Sequence, residues 1–117
     1  MKLFAFPKKY RLRKRIEFEH LKIDGLRLQN NLYIIKYAYN SKGEAARLGI
    51  TVTKKIGNAV VRNRIKRLIR EFFRKNRHKL TQNYDFNVIV KHRIRYHSRA
   101  ERLDALRMIF DMLISVK

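Results

Sequence analysis

From Arg62 to Lys79 the chain carries nine Lys and Arg against a single acid, Glu71, with apolar residues threaded among them at helical spacing. Val61, Ile65, Leu68, Ile69, Phe72 and Phe73 recur three and four residues apart, the period of an amphipathic helix. Six such side chains need a surface to pack against, which a disordered basic tail does not have. The segment is therefore a charged ridge on a folded core, and the rest of the chain must supply a second layer.

Advancing about 100° per residue puts Arg62, Asn63, Lys66, Arg67, Arg70 and Arg74 within an arc of roughly 140°, with Val61, Ile65, Leu68, Ile69 and Phe72 opposite. Guanidinium groups one helical turn apart match the spacing of phosphates along a nucleic-acid backbone. Arginine outnumbers lysine on this arc, which favours forked phosphate contacts over simple charge attraction. A merely solvated face would mix charge signs for pairing along the helix, and here only Glu71 offers an acid.

The second layer is legible as strands. Leu32 to Tyr39 alternates Tyr33, Ile35, Tyr37 and Tyr39 with Leu32, Ile34, Lys36 and Ala38. Arg47 to Thr53 alternates Leu48, Ile50 and Val52 with Gly49, Thr51 and Thr53, and Asn40 to Gly43 between the two runs is turn chemistry, so the pair is predicted to form a hairpin. Leu28 falls in a further short strand, and Tyr84 to Lys91 forms another with Phe86, Val88 and Val90 inward. Three helices complete the set. Arg15 to Asp24 ends before Gly25, expected as a left-handed C-terminal cap, with Phe18 and Leu21 on one face. The basic helix starts at Asn58 as N-cap and reaches about Arg77. The last starts at Ser98, where Ser98 and Glu101 form a capping box, and carries the stripe Leu103, Leu106, Ile109, Phe110 and Leu113. The resulting αβββαβα order is an α+β fold, an α/β sandwich with a small mixed four-stranded sheet and helices packed on it. If the strand at Tyr84 runs parallel to an earlier one, the general rule gives a right-handed crossover through the basic helix.

The chain of 117 residues has no repeat and only one proline, so it reads as a single domain over residues 1–117 with a basic arm at 1–14. Thirty Lys and Arg against nine Asp and Glu give a net charge of +21, which points first to nucleic acid and second to an anionic membrane surface. The absence of cysteine excludes disulfides, thiolate metal sites and a thiol nucleophile. No apolar run approaches a membrane span or a signal-peptide core, so a cytoplasmic protein is expected.

Lys54-Lys55-Ile56-Gly57-Asn58-Ala59-Val60-Val61-Arg62-Asn63-Arg64-Ile65-Lys66-Arg67-Leu68-Ile69-Arg70-Glu71 resembles the signature of the bacterial ribonuclease P protein subunit. The Leu48 to Val52 strand before it, the Phe18 helix ending at Gly25 and the chain length are similar too, so the resemblance covers nearly the whole chain. It implies the small basic subunit of a ribonucleoprotein that removes the 5′ leader from precursor tRNA, with the catalytic RNA carrying the chemistry. It also implies a left-handed βαβ crossover, in place of the general rule, and Mg²⁺ held mainly by the RNA and substrate, with no protein-only metal site. Carried onto this sequence, Lys54, Lys55, Arg62, Asn63, Arg64, Lys66, Arg67 and Arg70 would meet the RNA subunit, and Phe18, Tyr33 and Tyr37 would line a cleft for the leader. Aromatic side chains suit single-stranded RNA because every base has a π-face. Core packing for Phe18, and a helix-covered sheet face for Tyr33 and Tyr37, remain open alternatives. Many family members carry a second aromatic one turn after the first, where this chain has Lys22, which can hold a leader phosphate instead.

No catalytic residue is expected in the protein itself. A protein nuclease needs paired carboxylates for metal ions or a His-centred acid and base. His20, His78, His92 and His97 are scattered among basic residues, and Glu17 and Asp85 are isolated in sequence, with salt bridges to arginines as their expected role. The expected partners are the catalytic RNA and precursor tRNA, with no membrane and no small-molecule substrate. Another RNA-binding module that assists no reaction, such as a ribosomal protein, is the competing reading.

Overall fold

In the computed structural model, which describes residues 11–12, 14–39, 46–80 and 84–115, the elements follow the anticipated order. They are α1 (Arg15–Asp24), β1 (Leu26–Gln29), β2 (Tyr33–Tyr39), β3 (Arg47–Thr51), α2 (Ala59–Asn76), β4 (Tyr84–Val90) and α3 (Arg99–Ser115). Short 3-10 turns occupy Lys54–Ile56, Arg77–Lys79 and His92–Tyr96. Local chemistry sets the helix starts. Asn58 Oδ1 accepts the Val61 N–H at 3.0 Å and caps α2. Ahead of α3, the Ser98 N–H donates to Glu101 Oε1 at 2.7 Å and the Glu101 N–H donates to Ser98 Oγ at 3.1 Å, the reciprocal pair of a capping box. Donation from the Ser98 backbone N–H, and then from the Ser98 side chain, holds the Glu101 carboxyl below the usual carboxylate range.

Gly25 departs from expectation. Its backbone is extended, φ −74° and ψ 146°, because the chain passes directly from α1 into β1 with no room for a left-handed residue. Glycine is still required there, since its N–H donates to the Leu21 carbonyl at 2.9 Å and a Cβ would stand 2.3 Å from that oxygen.

The sheet order is β1-β2-β4-β3. β1 and β2 form an antiparallel hairpin around Asn30, whose Oδ1 accepts the N–H groups of Leu32 and Tyr33 at 3.1 and 3.0 Å. The hairpin expected between β2 and β3 is not formed: β4 lies between them, antiparallel to β2 and parallel to β3. The physical reason lies in β4, where Asp85, Phe86, Asn87 and Val88 are all buried, so the strand is covered on both faces and takes the centre of the sheet. The turn chemistry at 40–43 falls outside the described residues.

Strand pairing divides the side chains between two faces. Tyr33, Ile35 and Tyr37 of β2 pair with Val90, Val88 and Phe86 of β4, and Leu48 of β3 pairs with Phe86, so these share one face. They join Ile65, Ile69 and Phe73 of α2 and Leu106, Ile109, Phe110 and Leu113 of α3 in the main core. Phe110 meets Phe72 and Phe73 edge to face, at centroid distances of 4.8 and 6.4 Å. Ala105 joins the α3 stripe, while Leu103 is only half-buried.

The opposite face, formed by Ile34, Lys36, Ala38, Arg47, Gly49, Thr51, Asp85, Asn87 and Ile89, lies under α1. Leu12 and Leu21 are buried there apart from the main core. Of the basic arm, Arg11 bridges to Leu48 and the Leu12 N–H donates to the Leu48 carbonyl at 2.9 Å, so these two residues extend the edge of the sheet beside β3. The rest of the arm lies outside the described residues apart from Lys14. No helix among the described residues is long and apolar enough to cross a membrane.

Candidate nucleic-acid interface

The polar face of α2 is broader than the sequence wheel implies and is turned relative to it. Asn63, Arg64, Arg67 and Arg70 are exposed, whereas Arg62 and Lys66 are half-buried. Ile69 and Phe73 are fully buried on the side where the wheel set Arg62, which places Arg62 at the margin of the core-facing stripe. Its Nε donates to the Gly57 carbonyl at 3.2 Å, so Arg62 braces the entry to α2 as well as adding charge. Arg64, outside the original arc, stands fully on the solvent side.

The two flanks of α2 face different neighbours. Arg70 lies toward the edge of β3, where desolvation and then the charge of Arg11 lower its guanidinium pKa. On the other flank Arg64 and Arg67 share a concavity with Arg99 and Arg102 of α3. The basic surface therefore spreads to both sides of the helix.

Lys54 and Lys55 are exposed on the 3-10 turn that joins β3 to α2, held from beneath by the buried Ile56. Beside it, the turn His92–Tyr96 is held by Ile94, which has no exposed surface. Arg95 connects the two turns by donating from Nη1 to the Lys55 carbonyl at 3.3 Å. Its guanidinium carbon also lies 5.0 Å from the ring centroid of Tyr96, which is 75% exposed. This Arg-backed aromatic was missed in the sequence, where the 92–97 segment reads only as a basic loop. The histidines stand apart: His20 lies 3.2 Å from Asp24, His97 lies 3.7 Å from Glu101, and His78 and His92 are exposed.

On the α1 side, the ring of Phe18 rests over Gly49, so close that a Cβ on Gly49 would stand 2.4 Å from Phe18 Cε1. Arg47 fixes the helix above the sheet: Nη1 donates to Glu17 Oε2 at 2.6 Å, while Nε and Nη2 donate to the two carboxylate oxygens of Asp85 at 2.9 and 2.8 Å. The forked bond to Asp85 is the main reason that Arg47 holds its proton more tightly than an ordinary arginine. These ion pairs are the expected arginine partners of Glu17 and Asp85. Beyond the clamp α1 leaves the sheet partly uncovered, and Ile34, Lys36, Thr51 and Ile89 are only half-buried. Thr51 Oγ1 donates to Asn87 Oδ1 at 3.2 Å on this floor. Lys22 is exposed on α1.

Tyr33 and Tyr37 do not line this cleft. They lie on the other face of the sheet, 0% and 7% exposed, and the Tyr33 hydroxyl donates to the Arg102 carbonyl of α3 at 2.9 Å. Burial raises the Tyr33 pKa well above the usual phenol value. The correction follows from the two-residue period of a strand: side chains that face α3 cannot also face α1. The floor residues under α1 are instead Lys36, Thr51 and Asn87, with Ile34 and Ile89. Lys36 was legible as the residue alternating with the tyrosines, but nothing in one sequence says which face α1 covers.

The ribonuclease P family profile matches residues 6–113. The ribonuclease P protein component of Desulfatibacillum aliphaticivorans is 51% identical over 88 residues, covering 75% of this chain and 74% of that one. That of Desulforapulum autotrophicum is 39% identical over 111 residues, covering 95% of this chain and 94% of the relative. Among solved structures, the Staphylococcus aureus RNase P protein superposes with a TM-score of 0.81 at 32% identity, covering 88% of this chain and 94% of that one. The Thermotoga maritima RNase P protein gives 0.80 at 30% identity, covering 92% and 97%.

Proposed function

Because the chain belongs to the ribonuclease P protein family and is thereby a protein component of that endoribonuclease holoenzyme, we propose that it binds the catalytic RNA through α2 and the adjoining turns and holds the precursor-tRNA 5′ leader beneath α1. In this reading Lys54, Lys55, Arg62, Asn63, Arg64, Lys66, Arg67 and Arg70 meet the RNA subunit. Phe18 and Lys36 take the leader, with Lys22, exposed on α1, available to a phosphate. The RNA subunit cleaves the bond that releases the leader, leaving the mature tRNA 5′ end. A cytoplasmic location goes with these partners.

The observation that carries the reading is the course of β3. Gly49 and Thr51 lie on the cleft floor, and the same strand runs through Thr53 into Lys54, Lys55 and the start of α2. A single strand of RNA lying on the floor is thus led toward the guanidinium groups that would bind the catalytic RNA. Phe18 offers a π-face and the lysines offer charge, a combination that holds an unpaired strand with little demand on its sequence.

Mg²⁺ enters this reading as an ion of the RNA and substrate. Among the described residues no three His, Asp or Glu side chains gather where they could hold a metal ion, so no step is assigned to a protein-bound metal. What the protein supplies is neutralisation of phosphate charge, which replaces part of the counterion atmosphere and so lowers the bulk Mg²⁺ concentration that the folded RNA needs.

Reconstitution with a cognate catalytic RNA tests the function. The protein should lower the Mg²⁺ concentration needed for precursor-tRNA cleavage, and Phe18→Ala should weaken long-leader substrates more than leaderless ones. A holoenzyme no better than the RNA alone would sink the assignment, and equal losses on both substrates would return Phe18 to a packing role.

A further inference from the structure

The concavity between α2 and the first turn of α3 is lined by four arginines from two helices, Arg64 and Arg67 on one wall and Arg99 and Arg102 on the other. Glu71 is its single acid, over a floor of Ile65 and Leu68, and its volume is ≈ 430 Å³. We propose that this groove is a distinct phosphodiester-binding site that seats a backbone phosphate of RNA with its ribose, so that the RNA footprint wraps from α2 onto α3. The proposal rests on the RNA-binding reading of α2 and extends it to residues outside the Lys54–Glu71 segment.

Within the protein these charges are not answered. Arg64, Arg67 and Arg99 have no hydrogen-bond or ion-pair partner among the described residues, and no ion pair engages Glu71. Arg102 is fixed differently: its Nε donates to the Ile94 carbonyl at 3.0 Å, which orients the guanidinium and leaves its terminal nitrogens uncommitted. Converging guanidinium groups repel one another, and one carboxylate cannot offset four of them. A phosphodiester supplies the missing charge with oxygens spaced to accept forked N–H pairs. The N-terminus of α3 adds the positive end of a 17-residue helix beside Arg99, its first residue. The groove is larger than a bare ion needs, and its Ile65 and Leu68 floor offers an apolar surface to a sugar.

Continuity argues for RNA as the occupant. Arg64 and Arg67 belong to the same row of exposed side chains as Asn63 and Arg70, so a backbone tracking α2 reaches the groove by turning around one side of the helix. Arg95 and the exposed ring of Tyr96 lie in the turn just ahead of α3, on the route that such a strand would take.

Arg99 allows a clean test because it is exposed and makes no contact that the fold depends on. Arg99→Gln in the full chain should weaken binding to the catalytic RNA and flatten the log–log salt dependence by about one unit at most, while Arg99→Lys should restore the slope. Oligoribonucleotide titrated into isotope-labelled protein should shift the Arg99 and Arg102 side-chain N–H signals in the wild type. An Arg99→Gln protein with unchanged affinity and slope overturns the proposal, and if Arg67→Gln still reduces both, the RNA-binding reading of α2 stands. Unchanged binding in both variants would overturn that reading as well. Polyglutamate shifting the same signals as strongly, at equal charge concentration, would make the groove a general acid-binding surface and overturn its assignment to phosphate.

Discussion

At Gly49 the missing Cβ allows an aromatic ring to press close against β3, and the α1 cleft depends on that contact. A methyl group there would stand 2.4 Å from Cε1 and 2.7 Å from Cζ of Phe18, and 3.1 Å from Leu12 Cδ1, with no flexible tail able to move aside cheaply. Gly49→Ala should therefore displace the Phe18 ring at a cost of about 1–3 kcal/mol, the usual scale for overpacking. Chemical denaturation reads that loss, and cleavage assays with long and short leaders read the ring's position. A variant as stable as the wild type with an unchanged leader preference would mean that Phe18 does not use this seat. The glycine stood in the sequence as one member of an alternating strand, and its role needed knowledge of what lay above it. Tyr33 and Tyr37 show the same limit from the other side. Their shared face was legible from their spacing, but whether α1 or α3 covered that face was not, because parity assigns residues to faces without naming the faces.

At the scale of elements, Arg47 carries the largest share of the cleft's geometry. It links α1, β3 and β4 through Glu17 and Asp85, with its side chain 13% exposed and those of Glu17 and Asp85 16% and 12%. Replacing it by methionine keeps the stem and strands two largely buried carboxylates, so destabilisation of about 3 kcal/mol is expected. Denaturant midpoints of both proteins check this, and equal midpoints would mean that solvent already screens the carboxylates. α1 should also loosen, and its amide hydrogens should exchange faster than those of α2. The helices themselves were readable in advance because their caps are local: Asn58 and the Ser98–Glu101 pair act within three residues. Strand order was not local. Neighbouring strands with turn chemistry between them suggest a hairpin, yet β4 arrives from beyond α2 and separates β2 from β3 because it has two faces to bury.

For the whole molecule, the decisive quantity is charge left over after folding. Thirty Lys and Arg face nine Asp and Glu, and several of those acids already have partners: Glu17 and Asp85 with Arg47, Glu19 with Arg15, and Asp104 with Arg107. Among the described residues, Arg64, Arg67, Arg70, Lys54 and Lys55 hold part of the excess exposed on α2 and its leading turn. An unfolded chain spreads the same charges apart, so a multivalent anion that bridges several guanidinium groups binds the folded state preferentially. Pyrophosphate should therefore raise the melting temperature saturably, whereas sodium chloride at matched ionic strength only screens repulsion. At about a hundred times Kd the linkage is worth about 2.7 kcal/mol, or roughly 10 °C for a domain of this size. Differential scanning calorimetry across a pyrophosphate series measures the effect, and Arg67→Gln should reduce it. If chloride at equal ionic strength matched pyrophosphate throughout, the charges would be acting as a diffuse cloud and the exposed arginines would form no discrete anion sites.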